Sequence, residues 1–290
     1  MSSLAMQPAR ASGAFSIGGD LPVMRLGYGA MRITGPGVWG EPRDRGEAVR
    51  VLRRAVELGV TFIDTADSYG PEVSERLIRE ALHPYPDDVV IATKAGLMRP
   101  GPGAWEVNGR PEYLKAQADK SLQRLGLQRI ELFQLHRIDP EVPLADQIGA
   151  LDDLRAAGKV GRIGLSEVTV AEIQAARTIT SIATAQNRYN IADREYERVL
   201  QYCERDAIGL IPWFPMATGG LASQRGPLQR VAKAHNATPA QLALAWLLHR
   251  SPVVLPIPGT STVAHLEENV RAALIELAPE HIRQIEGAIT

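Results

Sequence analysis

The sequence predicts a (β/α)8 barrel preceded by a short β-hairpin, and three observations carry that reading. Short apolar runs rich in β-branched residues alternate with amphipathic segments, the pattern of a parallel sheet with crossover helices. Eight such runs can be counted, each followed by a helix or a loop. The chain has 290 residues, close to the roughly 250 that one closed barrel uses, so eight units favour closure over an open doubly wound sheet. Residues 15–290 are expected to form one domain, with a frayed Ala-, Ser- and Gly-rich tail over 1–14.

Taken in order, Phe15 to Val23 reads as a hairpin turning at Gly18-Gly19-Asp20. Leu26 to Ala30 is the first strand, and Val60 to Asp64, Val89 to Thr93 and Ile130 to Leu135 the next three. Val160 to Leu165, Ile182 to Gln186, Ile208 to Trp213 and Val253 to Ile257 complete the eight. Ser74 to Leu82 is helical, and Arg110 to Leu125 places Leu114, Ala118, Leu122 and Leu125 on one face. Leu144 to Ala157 is a helix stopped by Gly158 as a C′ glycine. Further helices are expected at Val170 to Ala176, Arg194 to Asp206, Pro239 to His249, Val263 to Ala273 and Pro279 to Gly287. Three Gly/Pro-rich stretches, Thr34 to Arg45, Gly96 to Pro111 and Pro215 to Pro227, read as long loops. In a barrel such loops follow strand C-termini and build the active site.

Composition removes several function classes. Apolar residues make up 45% and charged residues 22%, ordinary globular usage. The formal net charge of −1 gives no bias toward nucleic acid or anionic lipid. The single cysteine, Cys203, cannot pair within the chain, and a packed structural role outweighs a catalytic thiol. No secretory leader or membrane-length apolar run is visible, so the expected location is the cytoplasm. The six histidines lack ligand spacing, so no metal is expected. Gly27-Tyr28-Gly29-Ala30-Met31-Arg32 lacks the third glycine of a dinucleotide fingerprint. Gly164-Leu165-Ser166-Glu167-Val168 has Val where a nucleophile elbow needs Gly.

Four ionisable residues stand at or just past strand C-termini: Asp64, Tyr69, Lys94 and His136. In a parallel barrel all four share one mouth. Each alone has a structural explanation, as loop cap, packed ring, strand end or core histidine, but the set together has a chemical one. A phenol titrates near pH 10, and a nearby ammonium lowers that value. Lys94 is expected to supply that ammonium, with Asp64 as its partner, while a neutral His136 orients a carbonyl oxygen. Such a group protonates an oxygen that gains negative charge, as carbonyl reduction requires. No side chain delivers hydride, so a nicotinamide cofactor is implied.

The segment Phe62-Ile63-Asp64-Thr65-Ala66-Asp67-Ser68-Tyr69-Gly70 resembles the signature of the aldo-keto reductases. Ala92-Thr93-Lys94, Leu135-His136, Gly164-Leu165-Ser166 and Gln186-Asn187 follow in that family's order, and the resemblance runs from about Arg25 to Ala273. It implies a cofactor extended across the barrel mouth and the tetrad Asp64, Tyr69, Lys94 and His136. It places Gly29, Ala30, Met31 and Phe214 beside the cofactor, Ser166 and Gln186 on the nicotinamide carboxamide, and Trp213 against the ring. The stretch from Pro215 to Leu221, with Gly219, matches the pyrophosphate loop. Pro258, Gly259, Thr260, Ser261 and His265 match the adenosine phosphate end, and Glu268 and Asn269 the adenine contacts.

Two departures from the family pattern stand out. Glu167 replaces a common Asn and lacks its amide donor. His265 replaces a common Arg, and Gly259 a Lys found in some branches, so NADPH is expected to be preferred with NADH possible. Trp39 and Trp105, with Trp213 and Phe214, are expected to line a pocket suited to aromatic or medium-sized aldehydes and ketones. The loop near Trp39 resembles that of pyridoxal-reducing bacterial members, which makes pyridoxal the first compound to try. The short tail predicts breadth rather than strict selectivity. Competing readings are a Schiff-base aldolase using Lys94 and a non-catalytic NADP-binding regulatory subunit. The assembly is expected to be a monomer or a small homo-oligomer.

Overall fold

The computed structural model describes residues 7–216 and 227–287. An antiparallel hairpin, β1 (Ala14–Ile17) and β2 (Leu21–Met24), precedes the barrel. Seven parallel strands follow: β3 (Tyr28–Gly29), β4 (Phe62–Asp64), β5 (Val90–Ala95), β8 (Ile130–Leu135), β9 (Val160–Ser166), β10 (Ile182–Gln186) and β11 (Gly209–Leu210). They pair in that order. The expected eighth strand is a sparsely bonded segment. Leu210 pairs with Val254 through one parallel bridge. On the other side, Gly27 N–H donates to the Pro256 carbonyl at 2.9 Å. Pro256 and Pro258 carry no N–H, which thins the ladder on both flanks and explains why the segment is not a regular strand. The barrel is nonetheless closed. Gly29 is needed at the closure, because a Cβ there would lie 2.6 Å from the Ile257 carbonyl oxygen.

Strand alternation decides what fills the barrel. In β4, Phe62 and Asp64 face inward and Ile63 outward; in β5, Val90, Ala92 and Lys94 share the inner face; in β8, Leu132 and Gln134 do. The inner face is therefore apolar toward the strand N-termini and polar toward their C-termini. Ile17 and Val23 of the hairpin join Phe62, Val90, Ala92 and Leu132 in one cluster, so the hairpin plugs the N-terminal end. Outside, Phe133, Leu135 and Ile163 pack under the helices Pro111–Leu125 and Leu144–Ala156.

The helices start where the sequence offers caps. Thr169 and Thr238 open Val170–Arg177 and Pro239–Arg250 with capping boxes closed by Glu172 and Gln241. Gly126, with φ +69°, ends Pro111–Leu125. The two-helix end of the chain comprises Val263–Val270, continued by a 3-10 turn Arg271–Leu274, and Pro279–Gly287.

Three readings need correction, and a fourth falls outside the described residues. Residues 8–14 are not frayed, since Pro8–Ser12 is a 3-10 turn with Ala9 and Ser12 buried, and Ser12 Oγ accepts from the Leu26 N–H at 3.0 Å. The helix Arg45–Glu57, capped by Asp44, was not read from the sequence, and neither was Pro227–Ala234. Arginines spaced along the first of these mask its apolar stripe of Ala48, Val49, Leu52 and Ala55. The stretch 96–111 is not a plain loop but carries a small antiparallel arm, β6 (Leu97–Met98) with β7 (Glu106–Val107). The expected cofactor loop falls mostly on residues 217–226, and Gly219 lies outside the described residues.

Candidate active site

The ends of β4, β5 and β8 bring three of the four ionisable residues together. Asp64 is the last residue of β4, Lys94 the fifth of β5, and His136 follows β8 directly. The loop after β4 keeps pairing with β5, through Thr65 N–H to Ala92 O at 2.8 Å and Asp67 N–H to Lys94 O at 3.1 Å. That pairing carries Tyr69 back over the strand ends. Lys94 Nζ donates to Asp64 Oδ2 at 2.6 Å and to the Thr65 carbonyl at 2.8 Å. The other carboxylate oxygen, Asp64 Oδ1, accepts from Gln134 Nε2 at 3.0 Å and Gln186 Nε2 at 2.9 Å. Lys94 Nζ lies 5.3 Å from the Tyr69 ring centre, and the Tyr69 and His136 rings meet edge-on at 5.9 Å. Ser68 Oγ lies 3.4 Å from His136 Nδ1; Nε2 has no protein partner among the described residues.

Burial sets the protonation of this group. Lys94 is fully buried; desolvation alone would lower its pKa, but Asp64 and Tyr69 reverse the balance and hold it raised. Tyr69 is also raised, because desolvation outweighs the opposing Lys94 charge. This corrects the expectation that Lys94 lowers the phenol below its ordinary value. His136 is pushed well below the usual imidazole range, first by burial, then by Lys94 and Arg137. The site therefore presents a charged ammonium, a protonated phenol and a neutral imidazole at physiological pH.

Asp64, Tyr69 and His136 form the floor of a cavity of about 710 Å³, with Lys94 buried behind them, and Ser166, Gln186 and Ile257 also line it. Gly29, Met31 and Gly259 line one side, and Trp213, Phe214 and Pro215 another. Trp105 joins from the β6–β7 arm. Trp39, expected beside Trp105, does not line the cavity. It stacks at 5.4 Å on the guanidinium of Arg99, which lies 3.8 Å from the Trp105 ring. Arg99 donates to the carbonyls of Gly37, Val38, Ser68 and Ala104. Ala30 does not line the cavity either; it is fully buried in the core, and its carbonyl accepts from Ser74.

Pro258, Thr260, Ser261, His265, Glu268 and Asn269 stand beyond the cavity lining, around the start of the helix Val263–Val270. His265 and Ser261 are exposed, whereas Asn269 is buried. Glu268 accepts from Thr238 Oγ1 at 2.7 Å. Sequence reasoning missed Glu47, whose carboxylate accepts from Val263 N–H at 2.9 Å and is held by Arg50 at 2.8 Å. Nothing in the linear pattern signals that contact, which spans more than two hundred residues. Arg137 was also missed, although its place directly after His136 at a strand end was a visible signal.

Glu167 has a structural answer. It sits at φ +56°, a left-handed conformation that costs a side chain with a Cβ about 1–2 kcal/mol. From there its Oε1 accepts from the Arg188 N–H at 2.9 Å and from the indole N–H of Trp213. The carboxylate fixes the Trp213 ring at the cavity wall. Cys203 is fully buried, and burial pushes its thiol up to about 12, with Asp206 and Glu204 adding to the shift, which makes it inert. Among the described residues no group of three or more His, Cys, Asp or Glu is arranged to hold a metal. No helix of the described chain is long and apolar enough to cross a membrane.

Comparison with known proteins settles the family. The aldo/keto reductase family profile matches residues 25–290. The chain belongs to the aldo/keto reductase family. It is 49% identical over 268 residues to an uncharacterized oxidoreductase of Schizosaccharomyces pombe, covering 92% of this chain and 87% of the relative. It is 43% identical over 282 residues to the pyridoxine 4-dehydrogenase of Escherichia coli, covering 95% and 98%. The crystal structure of an aldo-keto reductase from Klebsiella pneumoniae in complex with NADPH superposes with a TM-score of 0.81 at 27% identity, covering 94% of each chain. As a member of this family the protein is an oxidoreductase.

The Glu167–Trp213 contact is open to direct test. Glu167→Ala should release the indole, red-shifting tryptophan emission, increasing acrylamide quenching and lowering stability by about 1 kcal/mol. Glu167→Gln keeps an acceptor oxygen and should stay close to wild type. Unchanged emission and quenching in Glu167→Ala would show that the carboxylate does not hold the ring.

Proposed function

We propose that the protein reduces aldehydes or ketones to alcohols with a reduced nicotinamide cofactor, Tyr69 serving as proton donor. One observation carries this reading: a buried Lys94–Asp64 pair at 2.6 Å beneath a phenol that burial keeps protonated, beside a neutral His136. The cavity fits such a cofactor in its chemistry. It offers Ser166 and Gln186 to an amide, the rings of Trp213 and Phe214 to a planar heterocycle, and close glycine backbone at Gly29 and Gly259. Beyond it, the helix Val263–Val270 turns the positive end of its dipole toward an anion, although Glu47 takes the Val263 N–H and the Thr262 cap the His265 N–H. When bound, a reduced nicotinamide supplies hydride to the carbonyl carbon.

The protein's own part is to orient the oxygen and to supply a proton. His136 Nε2 can donate to the carbonyl oxygen and hold it near the Tyr69 hydroxyl. Tyr69 keeps its proton until that oxygen becomes strongly basic, then gives it up. The phenolate left behind faces the Lys94 ammonium, which stabilises it. Asp64 holds that ammonium in place through Oδ2. A single barrel domain over residues 15–290 carries all these groups.

The Schiff-base reading is disfavoured by the same pair. An amine nucleophile must be neutral, and Lys94 is held charged, with Asp64 and Thr65 occupying two of its three donor positions. The regulatory-subunit reading is separated by any measured turnover. The likeness to a pyridoxine 4-dehydrogenase supports pyridoxal as the first substrate to try, and the rings of Trp105, Trp213 and Phe214 give a flat heterocycle something to stack on.

Tyr69→Phe should lower kcat with the best aldehyde by roughly 10²–10⁴ while leaving the Kd of NADP nearly unchanged. A variant with near-wild-type kcat would remove Tyr69 from its role.

The pH dependence follows from the directions of the shifts. Tyr69 is raised and stays protonated, His136 is lowered and stays neutral, and Lys94 is raised and stays charged. The kcat for reduction should therefore be flat from about pH 6 to pH 9, with loss only at higher pH as Tyr69 ionises. An acid limb near pH 6.5 would show that His136 titrates as an ordinary imidazole.

NADPH should be preferred over NADH, but only modestly. The compact 2′-phosphate suits His265, which is exposed and whose ring has no partner among the described residues. The Glu47 carboxylate already occupies the Val263 N–H at the same helix start and opposes a second anion. Both Glu47→Gln and His265→Arg should raise the ratio of NADP to NAD affinity, roughly two- to fivefold each. Titrations giving Kd for both cofactors decide it; ratios unmoved in both variants would mean that neither residue meets the phosphate.

A further inference from the structure

Among the described residues two arginines line the cavity and carbonyl reduction uses neither: Arg32, on the side of Gly29 and Met31, and Arg137, beside His136. Arg137 follows His136 directly and lines the cavity. Its Nη1 is anchored twice, donating to the His136 carbonyl at 2.7 Å and to Ser166 Oγ at 3.1 Å. Among the described residues Nε and Nη2 have no partner, and no carboxylate lies within ion-pair distance. Two acids of the site are already engaged. Asp64 takes Lys94 and two amides, and Glu167 takes the Trp213 indole and the Arg188 N–H. The charge of Arg137 acts on both proton-handling groups, lowering His136 and opposing the rise of Tyr69. The guanidinium is thus close to the point where those two groups meet a carbonyl oxygen, with unused donors in a planar fork suited to an oxyanion.

We propose that Arg137 is a specificity-determining residue that binds an oxyanion carried by the substrate next to its carbonyl. The preferred substrates are aromatic aldehydes with an ionised oxygen group ortho to the aldehyde, a phenolate or a carboxylate. This rests on the carbonyl-reducing reading above and narrows it. Pyridoxal satisfies the requirement by its own chemistry: at neutral pH its ring is a zwitterion whose 3-oxygen is ionised beside the aldehyde. A nicotinamide dinucleotide carries its anionic groups on the phosphates, away from the ring. Ser166, which anchors Arg137, is a side chain that the cofactor reading assigns to the ring's carboxamide. The fork therefore serves the substrate rather than the cofactor.

Two aldehyde pairs test this, each an anionic member against a neutral one of similar shape: pyridoxal against pyridine-4-carbaldehyde, and 2-carboxybenzaldehyde against 2-methylbenzaldehyde. In wild type the anionic member of each pair should have the higher kcat/KM. In Arg137→Met the anionic-to-neutral ratio should fall about tenfold, mostly through KM, and Arg137→Lys should recover part of it. A second readout needs no turnover: calorimetric binding of salicylate to the NADP-loaded protein should weaken about tenfold in Arg137→Met, with the Kd of NADP little changed. Unaltered ratios together with unaltered salicylate binding overturn the proposal, as does a loss that falls on NADP instead. If wild type binds NADP but reduces none of the four aldehydes, the carbonyl-reducing reading fails. The salicylate titration then still decides whether Arg137 binds an oxyanion.

Discussion

The buried pair of Lys94 and Asp64 is the constraint around which the polar end of the barrel is built. Neither side chain has meaningful access to water, at 0% and 2% exposure. Taking two charges out of water costs several kcal/mol each, and their attraction offsets that only if the remaining donors and acceptors are also met. Here they are. The Thr65 carbonyl takes a second ammonium proton, and the amides of Gln134 and Gln186 close the far side of the carboxylate. Breaking such a pair by removing one partner is typically a 3–5 kcal/mol loss. Two strand residues with no contact to solvent are thereby made necessary, and Tyr69 and His136 inherit fixed surroundings from them.

That arrangement exists because a parallel strand has a period of two and an end. Phe62 and Asp64 share one face of β4, Ala92 and Lys94 one face of β5, and Leu132 and Gln134 one face of β8. The first member of each couple belongs to the apolar plug completed by the hairpin residues Ile17 and Val23, and the second belongs to the site. A one-residue slip of any of these strands would put a charge or an amide among the outer helices. Fold and chemistry are specified by the same alternation, so the site is as rigid as the sheet.

This is also why so much was legible in the sequence. Strand ends are visible as the last residue of a β-branched run, and Asp64, Lys94 and His136 stand there. What stayed hidden depends on contacts with no local trace. The closing segment lacks strand regularity because Pro256 and Pro258 remove donors, though its run of apolar residues reads as a strand. The helix Arg45–Glu57 escaped because its arginines interrupt the stripe that faces the core. The place of Trp39 in a Gly/Pro-rich loop after a strand points to the pocket, but an aromatic in such a loop has two uses, and stacking on Arg99 is the one realised. The direction of the Tyr69 shift was misjudged because the charge of Lys94 is evident in the sequence, whereas the depth of burial that outweighs it is a property of the whole mouth.

The rim is assembled on a different principle from the floor. Arg99 joins three separate segments by donating to backbone carbonyls at Gly37 and Val38, at Ser68, and at Ala104, with Trp39 and Trp105 against its guanidinium. Carbonyl acceptors place no demand on the side chains of those residues, so rim loops can change sequence while the tie persists. The floor has less freedom, since Asp64, Lys94, Gln134 and Gln186 are held to one another through their side chains. The ion pair that sets the surroundings of the proton donor is thus held by strands, and residues that meet the rest of the substrate by loops tied through their backbones. Arg137 stands at the junction, next to His136 in the chain but anchored through a carbonyl and one hydroxyl. A cation held that way can be exchanged without dismantling the pair beneath it, which lets substrate choice shift while the means of delivering the proton stays fixed.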